Sequence, residues 1–203
     1  MKPFEPFLRA TDVINWQHAA ILAKGKEFAS GSREPVEMAR RCFEWVRDHI
    51  QHSNDFHRNP TTCSASETLL QGTGYCYAKS HLLAALLRAN DIPAGFCYQR
   101  LSIDDTGAPY SLHGLNAVYL PEFGWYRIDA RGNKPGVDAQ FDPPTEKLAF
   151  RINLPEERDF PDILPDPLPV VVVALRAHST WDAMLANLPD WQRPTLELAL
   201  RHA

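Results

Sequence analysis

One stretch limits more than any other how this chain can fold: Gly72-Thr73-Gly74-Tyr75-Cys76-Tyr77-Ala78-Lys79-Ser80-His81-Leu82-Leu83-Ala84-Ala85-Leu86-Leu87-Arg88. Ala78, Leu82, Ala85, Leu86 and Ala89 recur at helical spacing, which predicts a helix over about 76–90 with an apolar inner stripe. Asp91 and Pro93 end it. A stripe of this kind has to be buried against a second layer. The two glycines break the chain just upstream, so Cys76 falls in the helix's first turn. A helix N-terminus carries partial positive charge and unpaired N–H groups. Both favour a thiolate, which is the nucleophilic form of cysteine.

The rest of the chain divides at Pro93. A helix is expected over about 12–30, with Asp12 or Asn15 as its cap, Gly31 beyond its end, and Ile14, Ala20, Ile21 and Phe28 inward. A second runs over about 34–50, with Pro35 at the first position and Ala39, Phe43, Val46 and Ile50 at helical spacing. Ser64-Ala65-Ser66-Glu67 reads as a capping box for a short helix over 65–71. After Pro93 the pattern turns to strands: 95–101, 113–120 and 125–130, with a turn at Asp104-Asp105-Thr106-Gly107. Helices first and strands later indicate an α+β fold. From about 136 to 169 the chain is rich in proline and poor in periodicity. Phe141, Leu148, Phe150, Phe160 and Leu164 interrupt it, so it reads as an arm lying over the body. A strand over 170–175 and short helices over 180–188 and 194–202 follow. At 203 residues the whole is expected to be a single domain, with a core of about 34–135.

Composition narrows the partners. With 44% hydrophobic and 23% charged residues and a net charge of −4, nothing favours nucleic acid. No run of about 18 apolar residues occurs, which argues against a membrane span. The N-terminus lacks a signal-peptide core, so a cytoplasmic protein with free thiols at Cys42, Cys63, Cys76 and Cys97 is expected. No EF-hand or phosphate-loop pattern is present and no cofactor is expected. A zinc site from Cys63, Cys76, Cys97 and His81 lacks the usual short ligand spacing. His49, His52 and His57 around Asp55 read as an exposed polar loop.

Two further residues complete a candidate site. If residues 121–123 form a three-residue hairpin loop, Leu120 faces Gly124 and Asp129 lies opposite Leu115. His113 is then a diagonal neighbour of Asp129 on one face, about 7–8 Å away at the backbone. Alone, Asp129 reads equally well as a turn cap; His113 beside it favours a functional role. Cysteine as nucleophile, histidine as base and aspartate as its orienter are the parts of an acyl-transfer centre.

At these residues the sequence resembles the transglutaminase-like superfamily, with its papain-like arrangement. The resemblance is carried by Gly74-Tyr75-Cys76, by Asp91-Ile92-Pro93-Ala94-Gly95, by His113-Gly114-Leu115-Asn116-Ala117-Val118-Tyr119-Leu120 and by Gly124-Trp125-Tyr126-Arg127-Ile128-Asp129. Together they cover about 65–135. It implies a cysteine helix packed on an antiparallel sheet, with Cys76 as nucleophile, His113 as base and Asp129 as orienter. The bacterial cysteine peptidase-like branch is the nearest in kind. That implies a hydrolase of peptide or small amide substrates; an acyltransferase and a non-catalytic binding module on the same fold are the alternatives. Family members often carry an aromatic where this chain has Leu115, and a proline where it has Ala130.

Secondary candidates follow. Gln71 lies five residues before Cys76, where papain-like enzymes carry an oxyanion donor a few residues upstream, although a surface helix position suits it as well. Tyr75 and Tyr77 could line the pocket or simply pack. Arg100 and Arg131 are candidate substrate-binding cations; Arg131 could equally pair with an acid of the arm. His81 is turned about 140° from Cys76 and is expected to make a structural hydrogen bond. Asn116 faces away from His113. Self-association through the arm is a further role open to it.

Overall fold

The computed structural model describes residues 3–31 and 34–190. In chain order come α1 (Ala19–Ala29), α2 (Pro35–His49), β1 (Gln51–His52), α3 (Ser53–Phe56), α4 (Ala65–Gln71), β2 (Thr73–Gly74) and α5 (Cys76–Arg88). Then come β3 (Ala94–Ser102), β4 (Tyr110–Leu120), β5 (Gly124–Ile128), β6 (Gln140–Asp142), β7 (Thr145–Lys147), β8 (Arg158–Asp159), α6 (Pro169–Ala177) and α7 (Trp181–Leu185). This is an α+β fold. An antiparallel sheet of order β5-β4-β3-β8 packs on α5, and α1, α2 and α4 cover the rest of that helix.

α5 is not striped but wholly enclosed: all thirteen of its residues are buried. That places Lys79, His81 and Arg88 in the interior, where unpaired polar groups are costly. Backbone carbonyls partner all three, although Nε2 of His81 has no partner among the described residues. Lys79 Nζ donates to Ile50 O and Arg47 O at the end of α2. His81 Nδ1 bonds Cys63 O at 2.7 Å, the structural hydrogen bond expected of it. Arg88 reaches the carbonyls of Arg9, Ala94 and Pro165.

α2 and α4 have the expected bounds. Pro35 opens α2, and the Ser64–Glu67 capping box closes reciprocally at the start of α4. α1 starts later than expected, at Ala19, with His18 rather than Asp12 or Asn15 as its cap. Asn15 is engaged elsewhere: its side chain accepts from Ser66 N and donates to Ser66 Oγ, tying this segment to α4. Ile14 is buried outside the helix. The expected strand at 170–175 is α6. Val171 and Leu175, four residues apart, are buried while Val173 is 67% exposed, which is a helical period. Pro169 at the first position and tertiary packing override the β preference of the valine run. The helix expected over 180–188 is the shorter α7; the one over 194–202 lies outside the described residues.

The β4–β5 hairpin pairs Leu120 with Gly124 and Asn116 with Ile128, the register expected from the loop length. Beyond it the chain folds back over the body. β6 and β7 form a hairpin whose Phe141 packs against Phe43 and Tyr126. β8 adds to the edge of β3.

Gly114 sets how closely α5 can approach β4. A Cβ there would lie 2.9 Å from Tyr77 Cδ1 and 3.4 Å from Tyr77 Cα. Gly114→Ala should therefore push the first turn of α5 off the strand and cost about 1–3 kcal/mol. Urea unfolding checks this, and an unchanged midpoint would contradict it.

Candidate functional site

The site is assembled at the start of α5. Gly72, at φ +65°, ends α4 in the left-handed conformation that glycine adopts freely. β2 then pairs in parallel with β1, Gln51 with Thr73 and His52 with Gly74. Tyr75 caps α5, and Cys76 is its first residue. The N–H groups of this first turn have no intrahelical acceptor.

β4 brings His113 to the sulfur. The two side chains border the same cleft, and the sulfur acts on the ring. His113 Nε2 donates to Asp129 Oδ2 at 2.8 Å, which leaves Nδ1 as the edge for Cys76. Asp129 follows the end of β5 and is buried. It accepts two more hydrogen bonds, from Ala149 N to Oδ2 at 3.0 Å and from Arg131 N to Oδ1 at 3.2 Å. Burial alone would raise its pKa, yet the charge and hydrogen bond of His113 and the two backbone N–H groups hold it below the usual carboxylate range. Burial likewise opposes charge on His113. The Asp129 carboxylate and the Cys76 sulfur outweigh it and lift the imidazole to about 10. Both groups favour the protonated imidazole. Phe150 meets the ring edge-on at a centroid distance of 4.9 Å.

Burial pushes Cys42 and Cys97 up to about 12, and raises Cys63. Cys76 borders a cleft of about 990 Å³ together with His52, Tyr75, Tyr77, Gln99 and His113, with residues 146–153 along one wall.

The structure thus brings Cys76, His113 and Asp129 together. Of the other candidates, Tyr75, Tyr77 and Arg131 also border the cleft, whereas Gln71 and Arg100 do not. Gln71 is an exposed residue at the end of α4 and lies outside this cleft. Tyr75 and Tyr77 do line it, but their hydroxyls donate to Trp181 O and Leu112 O, and burial raises the pKa of both. Arg100 forms a two-pronged pair with Asp190, both contacts 2.7 Å, and lies over Tyr110. Arg131 pairs with Asp55 of α3, not with an acid of the arm, at 2.6 and 3.0 Å. Lys134 joins it at 2.7 Å. Desolvation opposes the charge on Asp55, but these hydrogen bonds hold it well below the usual range. Asn116 donates to Ser80 O and Gly95 O, on the α5 side of the strand.

Four contributors carried no recognisable sequence signal. The Ala149 N–H and the Phe150 ring come from the arm. Gln99 is the register partner of His113. His52 is the fourth. It is buried against Tyr75 rather than exposed, and burial and the nearby Arg131 charge keep it neutral. His49 and His57 are exposed and stack on Trp45 and Trp181. Among the described residues, no group of acidic, histidine or cysteine side chains is arranged to hold a metal, and no helix is long and apolar enough to cross a membrane.

Residues 23–130 match the family model of the transglutaminase-like superfamily. Among solved structures, a candidate cysteine protease from Cytophaga hutchinsonii is similar, at 22% identity and a TM-score of 0.51, over 64% of this chain and 43% of that one. The periplasmic domain of TgpA from Pseudomonas aeruginosa is similar at 20% identity and a TM-score of 0.45, over 61% and 45%. The chain therefore spans less than half the length of either. No curated protein matches it.

Proposed function

Because the chain belongs to the transglutaminase-like superfamily, whose fold is a cysteine-based catalytic one, we propose that it is a cysteine-dependent hydrolase of amide or peptide bonds. The observation that carries this reading is the placement of His113 at the Cys76 end of the cleft with its Nε2 2.8 Å from Asp129 Oδ2. A protonated imidazole beside sulfur is the partner a thiolate needs. The thiolate attacks the substrate carbonyl carbon and a C–S bond forms. The first-turn N–H groups of α5 receive the charge that develops on oxygen. His113 gives its proton to the leaving nitrogen as the C–N bond breaks. Water then attacks the thioester and passes a proton to His113. The C–S bond breaks, the carboxylic acid leaves, and the ion pair returns. Asp129 holds the ring and stabilises its charge throughout. If an amine takes the place of water, the same steps give acyl transfer.

Iodoacetamide labelling tests the reading. Native protein should be alkylated at Cys76 about 100-fold or more faster than at Cys42, Cys63 or Cys97, whose burial disfavours the thiolate. Mass mapping of the labelled peptides reads it. Equal labelling of all four, or none before unfolding, would remove the basis for a nucleophile at Cys76.

A further inference from the structure

We propose that Phe150 is a positioning residue for the reaction: its ring holds the His113 imidazole toward Asp129 and keeps water off the hydrogen bond that joins them. The inference rests on the reading of His113 as the acid and base of the site.

The arm crosses the site where that bond lies. Ala149 N donates to Asp129 Oδ2 at 3.0 Å, the same oxygen that His113 Nε2 meets at 2.8 Å. Phe150 is the next residue. Its ring stands at 90° to the imidazole, with centroids 4.9 Å apart. Aromatic pairs favour this edge-to-face arrangement. Phe150 is half-buried and borders the cleft, whereas the side chain of Asp129 is 0% exposed and that of His113 only 7%. Truncation at Phe150 would extend the cleft toward the bond. Phe150 is itself held. The Arg131 guanidinium lies over its ring, 5.5 Å from the centroid. Asp55 grips that guanidinium with two hydrogen bonds, and Arg131 N donates to Asp129 Oδ1.

The imidazole needs such a neighbour. The torsion that turns a histidine ring about its Cβ–Cγ bond has broad, shallow wells, so the backbone alone does not fix it. A turn of the ring would take Nε2 away from Asp129 and Nδ1 away from Cys76 together. Water would add to the damage. It competes for both partners of a charge-assisted bond and screens the attraction between them. An apolar ring packed on the imidazole opposes both losses, and it does so without offering His113 a competing donor or acceptor.

The test follows the Nε2 proton of His113 by NMR in the full chain labelled with ¹⁵N-histidine, the signal being assigned by its loss in His113→Gln. It needs no substrate, so it reads the bond even where Cys76 proves unreactive and the hydrolase reading falls. In wild type this proton should exchange slowly with water and give a resolved signal below neutral pH. Phe150→Ala should speed the exchange at least about 30-fold, from lost cover and lost aromatic pairing together. Its His113 titration should also move down toward the ordinary histidine range, as water screens Asp129. Phe150→Leu, which keeps the apolar bulk, should stay within about fivefold of wild type. Phe141→Ala loosens the same arm at its contacts with Phe43 and Tyr126, away from His113, and should leave the exchange unchanged. The proposal is overturned by fast exchange in wild type, by an unchanged rate in Phe150→Ala, by a rate in Phe150→Leu as high as that in Phe150→Ala, or by an equal gain in Phe141→Ala, which a merely structural loosening of the arm would give.

Discussion

Cys76→Ala should abolish p-nitrophenol burst release from p-nitrophenyl acetate and lower amide turnover by at least about 10⁴-fold, because Cys76 is the one cysteine among the residues that line the cleft beside His113. Sulfur is the one atom of the site with no substitute. The three remaining thiols are buried and held in the neutral form. The fold should survive the change. Cys76 is 7% exposed at the edge of the cleft, and alanine is a good helix former at that position. Circular dichroism and unfolding midpoints that match wild type, with no burst, are the expected pair of results. A variant that retained more than a few per cent of turnover would place the nucleophile elsewhere.

Asp129→Asn should lower turnover by about 10³- to 10⁴-fold while leaving the sulfur in place. The asparagine amide can donate where the carboxylate only accepted, which favours the wrong face of the imidazole. It also removes the charge that, against burial, lifts His113 to about 10. The pH consequence has a definite sign. A histidine whose folded pKa lies above its ordinary 6.5 contributes stability that is complete below 6.5 and is lost as pH rises toward about 10. The wild type should therefore shed this contribution across that interval, and Asp129→Asn should show a smaller change over the same range. Urea unfolding at several pH values reads the stability, and NMR titration of the His113 ring reads the pKa. A His113 titration unmoved by the substitution would break the link between carboxylate and ring.

Much of the site could be read from the sequence because its parts lie on strongly patterned elements. Cys76 follows a glycine break at a helix start. The His113–Asp129 juxtaposition followed from one hairpin loop length, since strand alternation leaves little freedom once a register is set. The capping box at Ser64 was equally local. What sequence reasoning missed depends on distant partners. Arg100 gives no local sign of Asp190, and Arg131 pairs with Asp55 of α3 rather than with an acid of the arm; these partners lie 90 and 76 residues away along the chain. The valine run of α6 carries a strand's composition, and only packing shows its helical period. His52 looked like part of a polar loop, and its two-residue strand is too short to announce itself. A backbone N–H such as that of Ala149 has no letter in the sequence at all.

That last group has a consequence for how the site comes into being. The family match ends at residue 130, yet Asp129 takes one of its hydrogen bonds from Ala149, 20 residues further on. A fragment cut at the family boundary would carry all three residues but lose both backbone N–H groups, of Arg131 and Ala149, that hold the carboxylate.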